Sequence, residues 1–205
     1  ALEGGRITKI AQPEPDELMI TIKNNREQYR LLLSASASLP LVYLTQKNKQ
    51  APMTAPNFCM LLRKHIGSGK ILSVTQPGLE RILIFSVEHR NELGDLCVKK
   101  LIAEFMGKHS NLIFCDDQGT ILDSIKHVSQ HMSSVREVLP GRPYFIPHTQ
   151  EKADPFAVTE SEFYEKVLKK PAPAAKAIYT SLTGFSPLMA EEVCFRSGID
   201  GGLPT

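Results

Sequence analysis

The sequence predicts an α+β protein, with a β-rich body over residues 1–149 and a helical region over residues 150–205. Short apolar runs bounded by turn residues recur through the first two thirds of the chain. After about residue 150 the apolar residues take helical spacing, with Pro and Gly at the ends of the segments. Hydrophobic residues make up 42% of the 205 and charged residues 22%, which suits a globular chain with a sizeable core and excludes a disordered one. The longest apolar runs, such as Ile82-Leu83-Ile84-Phe85, are far too short to span a bilayer, and no signal peptide opens the chain, so no membrane partner is expected.

The elements follow in order. Residues 6–10 alternate, residues 18–22 follow the turn-rich Pro13–Asp16, residues 29–33 follow Asn24-Asn25, and residues 41–44 make a fourth strand. Between Pro52 and Gly69 the spacing predicts a helix, with Pro56 in its first turn and Phe58, Cys59, Leu62 and Ile66 on one face. Arg63, Lys64 and His65 fall in its last turn, where cations suit the helix dipole. Strands resume at 71–75 and 81–88 around Gln76-Pro77-Gly78, and residues 97–106 fit either a strand or a helix. Residues 111–115 and 120–125 form a hairpin around Asp116–Gly119. In the helical region, helices are expected at 159–169 and 172–182. A further helix is capped by Ser186, with Pro187 at its first position and Gly198 at its close.

Cys59, Cys97, Cys115 and Cys194 each sit among apolar neighbours, without CxxC or Cys/His zinc spacing. They read as buried thiols in a reducing compartment, and neither metal nor cofactor is expected.

The formal net charge of +2 conceals an uneven distribution: residues 1–79 carry +5, residues 80–150 carry −1 and residues 151–205 carry −2. A basic region on a neutral protein suits a nucleic-acid backbone, although a solvated face explains any single charge run. Cations gather beside turn residues at Arg63-Lys64-His65, Lys108-His109, Lys126-His127 and Arg136, where a rigid scaffold can present them to an anion. At Glu80-Arg81, ahead of a strand, Arg81 can clamp phosphate and Glu80 can accept from a base amine or ribose hydroxyl. The Gly184-Phe185-Ser186-Pro187 turn has the pattern of a helix-hairpin-helix, whose second helix offers backbone N–H groups to phosphate. The plainer reading is an αα-hairpin with Phe185, Leu188, Val193 and Phe195 in its core, and no Lys or Arg flanks the turn.

Several longer motifs occur together: Gly4–Ile10 (which includes Arg6) with Gln12-Pro13, Asn57–His65, Gly78–Ile82, Glu104–Asn111, Ile121–Val128, and Ser133–Arg136 with Leu139–Gly141. Across almost the whole chain they resemble the NFACT-N domain of the RqcH, fibronectin-binding protein A and NEMF family. The resemblance implies a β-rich body similar to the N-terminal domain of formamidopyrimidine-type DNA glycosylases, followed by a helix-hairpin-helix. It also implies a cytoplasmic, non-enzymatic function: binding large ribosomal subunits blocked by peptidyl-tRNA, and recruiting alanyl-tRNA so that the stalled chain gains a tail without a template.

The family's Asp-Arg pair for tRNA recruitment falls on Glu80-Arg81, with the acid here one methylene longer. The family's first helical stretch, its coiled coil and its NFACT-R domain have no counterpart, so the sequence reads as a fragment. Two other readings stand beside this one. The first is an adhesin for fibronectin or fibrinogen, as the older family name says. The second is a glycosylase-like enzyme, against which Ala1-Leu2-Glu3 lacks the glycosylases' N-terminal catalytic proline.

Overall fold

In the computed structural model, which describes residues 1–147 and 151–205, the short apolar segments become nine strands of one antiparallel sheet. These are β1 (Arg6–Glu14), β2 (Glu17–Asn24), β3 (Glu27–Ser34), β4 (Leu41–Leu44), β5 (Lys70–Thr75), β6 (Ile82–Arg90), β7 (Leu96–Glu104), β8 (Asn111–Cys115) and β9 (Ile121–Ser124). Their order, β4-β3-β2-β1-β5-β6-β7-β8-β9, is a pair of meanders joined where β1 meets β5. That junction is narrow: its one registered pair is Arg6 with Lys70. Gly4 N–H to Ile71 O, Ile71 N–H to Gly5 O and Ile7 N–H to Gly69 O, each 2.8 Å, close it.

The helix expected between Pro52 and Gly69 is α1 (Asn57–Ile66). Pro56 stands one position earlier than expected, as the N-cap, with ψ 155° outside the helix. Phe58, Cys59, Leu62 and Ile66 are all buried, as their spacing requires. They pack with Ile10, Ile20, Leu31, Phe85, Leu101 and Phe114 in the larger core of the sheet. A second core on β6–β9 gathers Ile82, Ile102, Ile113, Cys115, Ile121 and Val138. Residues 97–106 resolve as β7, because Leu101 and Ala103 belong to the first core while Ile102 belongs to the second. Burial on both faces erases the alternation by which a strand is recognised.

The chain divides into two compact units, residues 1–77 with 81–147, and residues 78–80 with 148–205. The sequence boundary at 149/150 falls outside the described residues. In the second unit, α2 (Glu160–Phe163) continues as a π-helical turn over Tyr164–Leu168, followed by α3 (Ala174–Ser181) and α4 (Pro187–Arg196). Thr159 and Glu162 form a reciprocal capping box at α2. Ser186 caps α4, its Oγ accepting the Met189 N–H at 3.1 Å.

The interior of this unit corrects one expectation. Leu188 and Phe195, read as core, are each 80% exposed, whereas Ala190 and Cys194 are buried against Ala175, Ala177 and Ile178. An alanine-rich α3 lets its neighbour approach closely, so small residues occupy the seam. Of the cysteines, Cys59, Cys115 and Cys194 are buried and Cys97 is half-buried; all four are free thiols.

Candidate nucleic-acid interface

The turn before β6 places the Glu80-Arg81 pair. Gly78 takes a left-handed conformation, φ +51°, and reverses the chain after β5. Leu79 then lies against the α3–α4 turn, where a Cβ at Gly184 would stand 3.0 Å from its Cδ1. Glu80 is half-buried and belongs to this second unit; Arg81, exposed, belongs to the sheet unit. The Arg81 carbonyl accepts the Phe105 N–H at 2.9 Å, so its backbone is held at the start of β6 while the side chain is left to solvent.

The arginines separate sharply by commitment. Arg6 donates to Ser68 O at 2.9 Å, Arg30 to Gln46 O at 3.2 Å, Arg63 to Ile10 O at 2.7 Å and Arg90 to Gly94 O at 2.7 Å. Arg142 pairs with Glu137 and Arg196 with Glu192. Among the described residues only Arg26 and Arg81 have a guanidinium without a hydrogen-bond or ion-pair partner.

Arg136 is the most committed, and leaves the set of phosphate candidates. Its side chain is 10% exposed and ion-pairs with the fully buried Glu104, while Nη1 donates to Phe145 O at 2.6 Å. Tyr144 donates its hydroxyl to the other Glu104 oxygen at 2.9 Å, and its ring lies 5.5 Å below the guanidinium. Burial, and then the Glu104 carboxylate, hold the Tyr144 phenol far above its ordinary range. Sequence reasoning missed Glu104 and Tyr144. The available signal was an acid closing an otherwise apolar strand, Leu101-Ile102-Ala103-Glu104.

The remaining cations differ in freedom. Lys126 is half-buried and its amine donates to Ala35 O. Its backbone is clamped by Asn111, which accepts from Lys126 N and donates to Lys126 O at 2.8 Å. His127 pairs with Asp123 at 2.6 Å and Lys64 with Glu92 at 3.1 Å. His65 is half-buried, its ring edge-on to His89 at 6.3 Å and 6.1 Å from Phe114. Burial, with Lys99 and Lys64 adding to it, holds His65 below the ordinary imidazole range. Lys108 and His109 are exposed on a single 3₁₀ turn, Gly107–His109. The clusters read from the sequence therefore divide: Arg63, Lys126 and Arg136 are tied to carbonyls or to a buried carboxylate, Lys64 and His127 stand exposed in surface ion pairs, and Lys108 and His109 are exposed.

The α3–α4 turn uses its glycine as expected: Gly184 has φ +81°, and Ser186 begins α4. Among the described residues, no three His, Cys, Asp or Glu side chains come together in a way that would hold a metal ion, and no helix is long and apolar enough to cross a membrane.

Fold and site define an α+β protein whose uncommitted cations stand on the ends and faces of an antiparallel sheet. The chain belongs to the NFACT family: the model of its N-terminal and middle domains matches residues 1–205. It is 42% identical over 197 residues to the Rqc2 homolog RqcH of Bacillus subtilis, a match that covers 96% of this chain and 35% of that protein. Its fold superposes on the N-terminal domain of the fibronectin-binding protein PavA from Streptococcus pneumoniae, with TM-score 0.86 and 35% identity over 96% of this chain and 74% of that one. The N-terminal part of the fibronectin/fibrinogen-binding protein from Streptococcus suis gives 0.86 at 37% identity, covering 97% of this chain and 74% of that one. The chain spans about a third of the length of the curated relatives it matches.

Proposed function

We propose that this chain is the tRNA-contacting and large-subunit-contacting part of a cytoplasmic ribosome quality control factor. In this reading it recruits alanyl-tRNA to large ribosomal subunits blocked by peptidyl-tRNA, so that the stalled chain is tailed without a template. Arg81 is the residue that meets tRNA, with Glu80 beside it. The observation that carries the reading is the state of Arg81: exposed, fixed through its carbonyl, and without an acceptor among the described residues. An arginine held this way loses little backbone entropy on meeting a phosphate or a base edge. The names of the curated relatives supply the ribosomal context.

The chain acts by binding rather than by catalysis. Its body is taken to be similar to the formamidopyrimidine-type glycosylases, and α3 with α4 to be their helix-hairpin-helix, with Gly184 and Ser186 at the turn. Lys108 and His109 are secondary contacts. The test is tRNA and large-subunit recovery with full-length protein carrying Arg81→Ala. Loss of tRNA with the wild-type fold retained is expected; equal recovery removes Arg81 from the site.

A second reading, binding of fibronectin or fibrinogen, is favoured by the names of the structural neighbours. A basic face capturing an acidic partner would lose that binding steeply as salt rises; binding that persists at 0.5 M salt would instead mark a dedicated adhesin.

A further inference from the structure

The junction between the two halves of the sheet carries a feature that the Glu80-Arg81 site does not use. Lys23 on β2 is registered with Arg6 on β1, and Arg6 with Lys70 on β5. Three cations thus stand in line on one face of three adjacent strands, a row about 10 Å long. All three are exposed. The face is the one turned from the larger core, because their neighbours Ile22, Ile7 and Ile71 point into it.

The Arg6–Lys70 pair is of the closer kind. Ile7 N–H reaches Gly69 O and Ile71 N–H reaches Gly5 O, so the hydrogen bonds flank the pair and leave its two residues in the non-hydrogen-bonded position, where side chains come nearest. Like charges directly opposite each other destabilise a sheet. The row is only partly relieved. Glu88 follows on β6 opposite Lys70, and one of the five N–H groups of Arg6 is spent on Ser68 O. One row further along the same face, Lys9 and Arg30 flank Thr21.

Three exposed cations in such a row, with Glu88 at one end, leave an excess of positive charge that an anion would offset. We infer that the Lys23–Arg6–Lys70 row is a docking strip for the RNA sugar–phosphate backbone. A linear polyanion matches a linear row of charge, and Leu72, two positions beyond Lys70 on β5, is the exposed apolar side chain beside it. The strip rests on the tRNA and ribosome reading above and adds a contact to it. Glu88 stands six positions along β6 from Ile82, beside Arg81, so the two contacts lie about 20 Å apart along that strand. Arg81 supplies recognition, and the strip supplies sequence-independent affinity.

The test uses full-length protein in four forms: wild type, Lys23→Gln/Lys70→Gln, Lys23→Arg/Lys70→Arg, and Arg81→Ala. Each is titrated with bulk tRNA, with poly(U) and with a fibronectin fragment across a salt series. The Gln form is expected to bind both RNAs on the order of tenfold more weakly and to lose about 1.4–1.8 from the slope of log K against log salt. The Arg form keeps the wild-type slope. The Gln form should also melt no lower than wild type, since it removes repulsion. Unchanged slope and affinity in the Gln form overturn the strip, and a lowered melting temperature overturns its like-charge premise. Retained RNA binding with loss of a fibronectin fragment overturns it in favour of an acidic protein. If wild type binds poly(U) in a strip-dependent way but gains nothing from tRNA or Arg81, the strip stands and the tRNA reading falls.

Discussion

Replacing Arg136 by Met removes one end of a buried ion pair and leaves the Glu104 carboxylate without its counter-charge. Glu104 is fully buried and Arg136 10% exposed, so solvent cannot make up the loss. Breaking such a pair from one side costs about 3–5 kcal/mol. For a chain of this size that lowers the melting temperature by roughly 6–20 °C. Tyr144→Phe deletes one hydrogen bond to the same carboxylate and costs about 1.5–3 kcal/mol. The double replacement Arg136→Met/Glu104→Met removes both charges and costs much less than the two single changes summed.

Thermal and urea unfolding of the four variants complete the cycle. The network also closes the end of β7, whose next residue, Phe105, holds the Arg81 carbonyl. Arg136→Met should therefore weaken tRNA binding even at temperatures where it stays folded. An Arg136→Met protein that melts within a degree or two of wild type, or a double variant as unstable as the sum of the singles, would mean that Glu104 does not depend on Arg136 for its counter-charge.

Other outcomes follow from the same contacts. Native-state alkylation should label Cys97 first, since it is half-buried, and leave Cys115 untouched, because burial pushes its thiol up to about 12; mass spectrometry of the labelled peptides reads this. Burial holds both His65 and His89 below their ordinary values. The unfolded chain therefore takes up protons first, and stability that is full above about pH 6.5 falls as pH drops below it. A His65→Gln/His89→Gln protein should show a flatter urea-midpoint profile from pH 7 to 5. Gly184→Ala, with φ +81° and a Cβ 3.0 Å from Leu79, should lower stability by about 1–2 kcal/mol. Ser186→Ala should cost about 1 kcal/mol through the lost cap, both measured by chemical denaturation.

β2 and β8, buried along both faces, were legible as short apolar runs between turn residues, and β5 and β6 because inward Ile71, Phe85 and Val87 alternate with more exposed neighbours. Residues 97–106 were ambiguous for the opposite reason: Leu101 and Ile102 are buried against different cores. The face of α1 was legible through Phe58, Cys59, Leu62 and Ile66, while Pro56 was misplaced by one position, because only the backbone tells a cap from a first turn. The interior of α4 was misread. Size suggested Leu188 and Phe195, but close approach to the alanines of α3 selected Ala190 and Cys194. Arg81 was visible as a residue ahead of a strand, yet its freedom was not. Only the fold shows that Arg63 is tied to Ile10 and that Arg136 is spent on Glu104, a partner 32 residues away.

The proposed function turns on Arg81 meeting tRNA. Its most direct measurement is sequencing and quantifying the RNA that co-purifies with full-length protein, wild type beside Arg81→Ala, with the large ribosomal subunit blotted in parallel. Wild type is expected to carry tRNA enriched in alanine isoacceptors, and Arg81→Ala to lose it while keeping its fold and its large subunit. Wild type free of tRNA, or Arg81→Ala carrying as much as wild type, contradicts it.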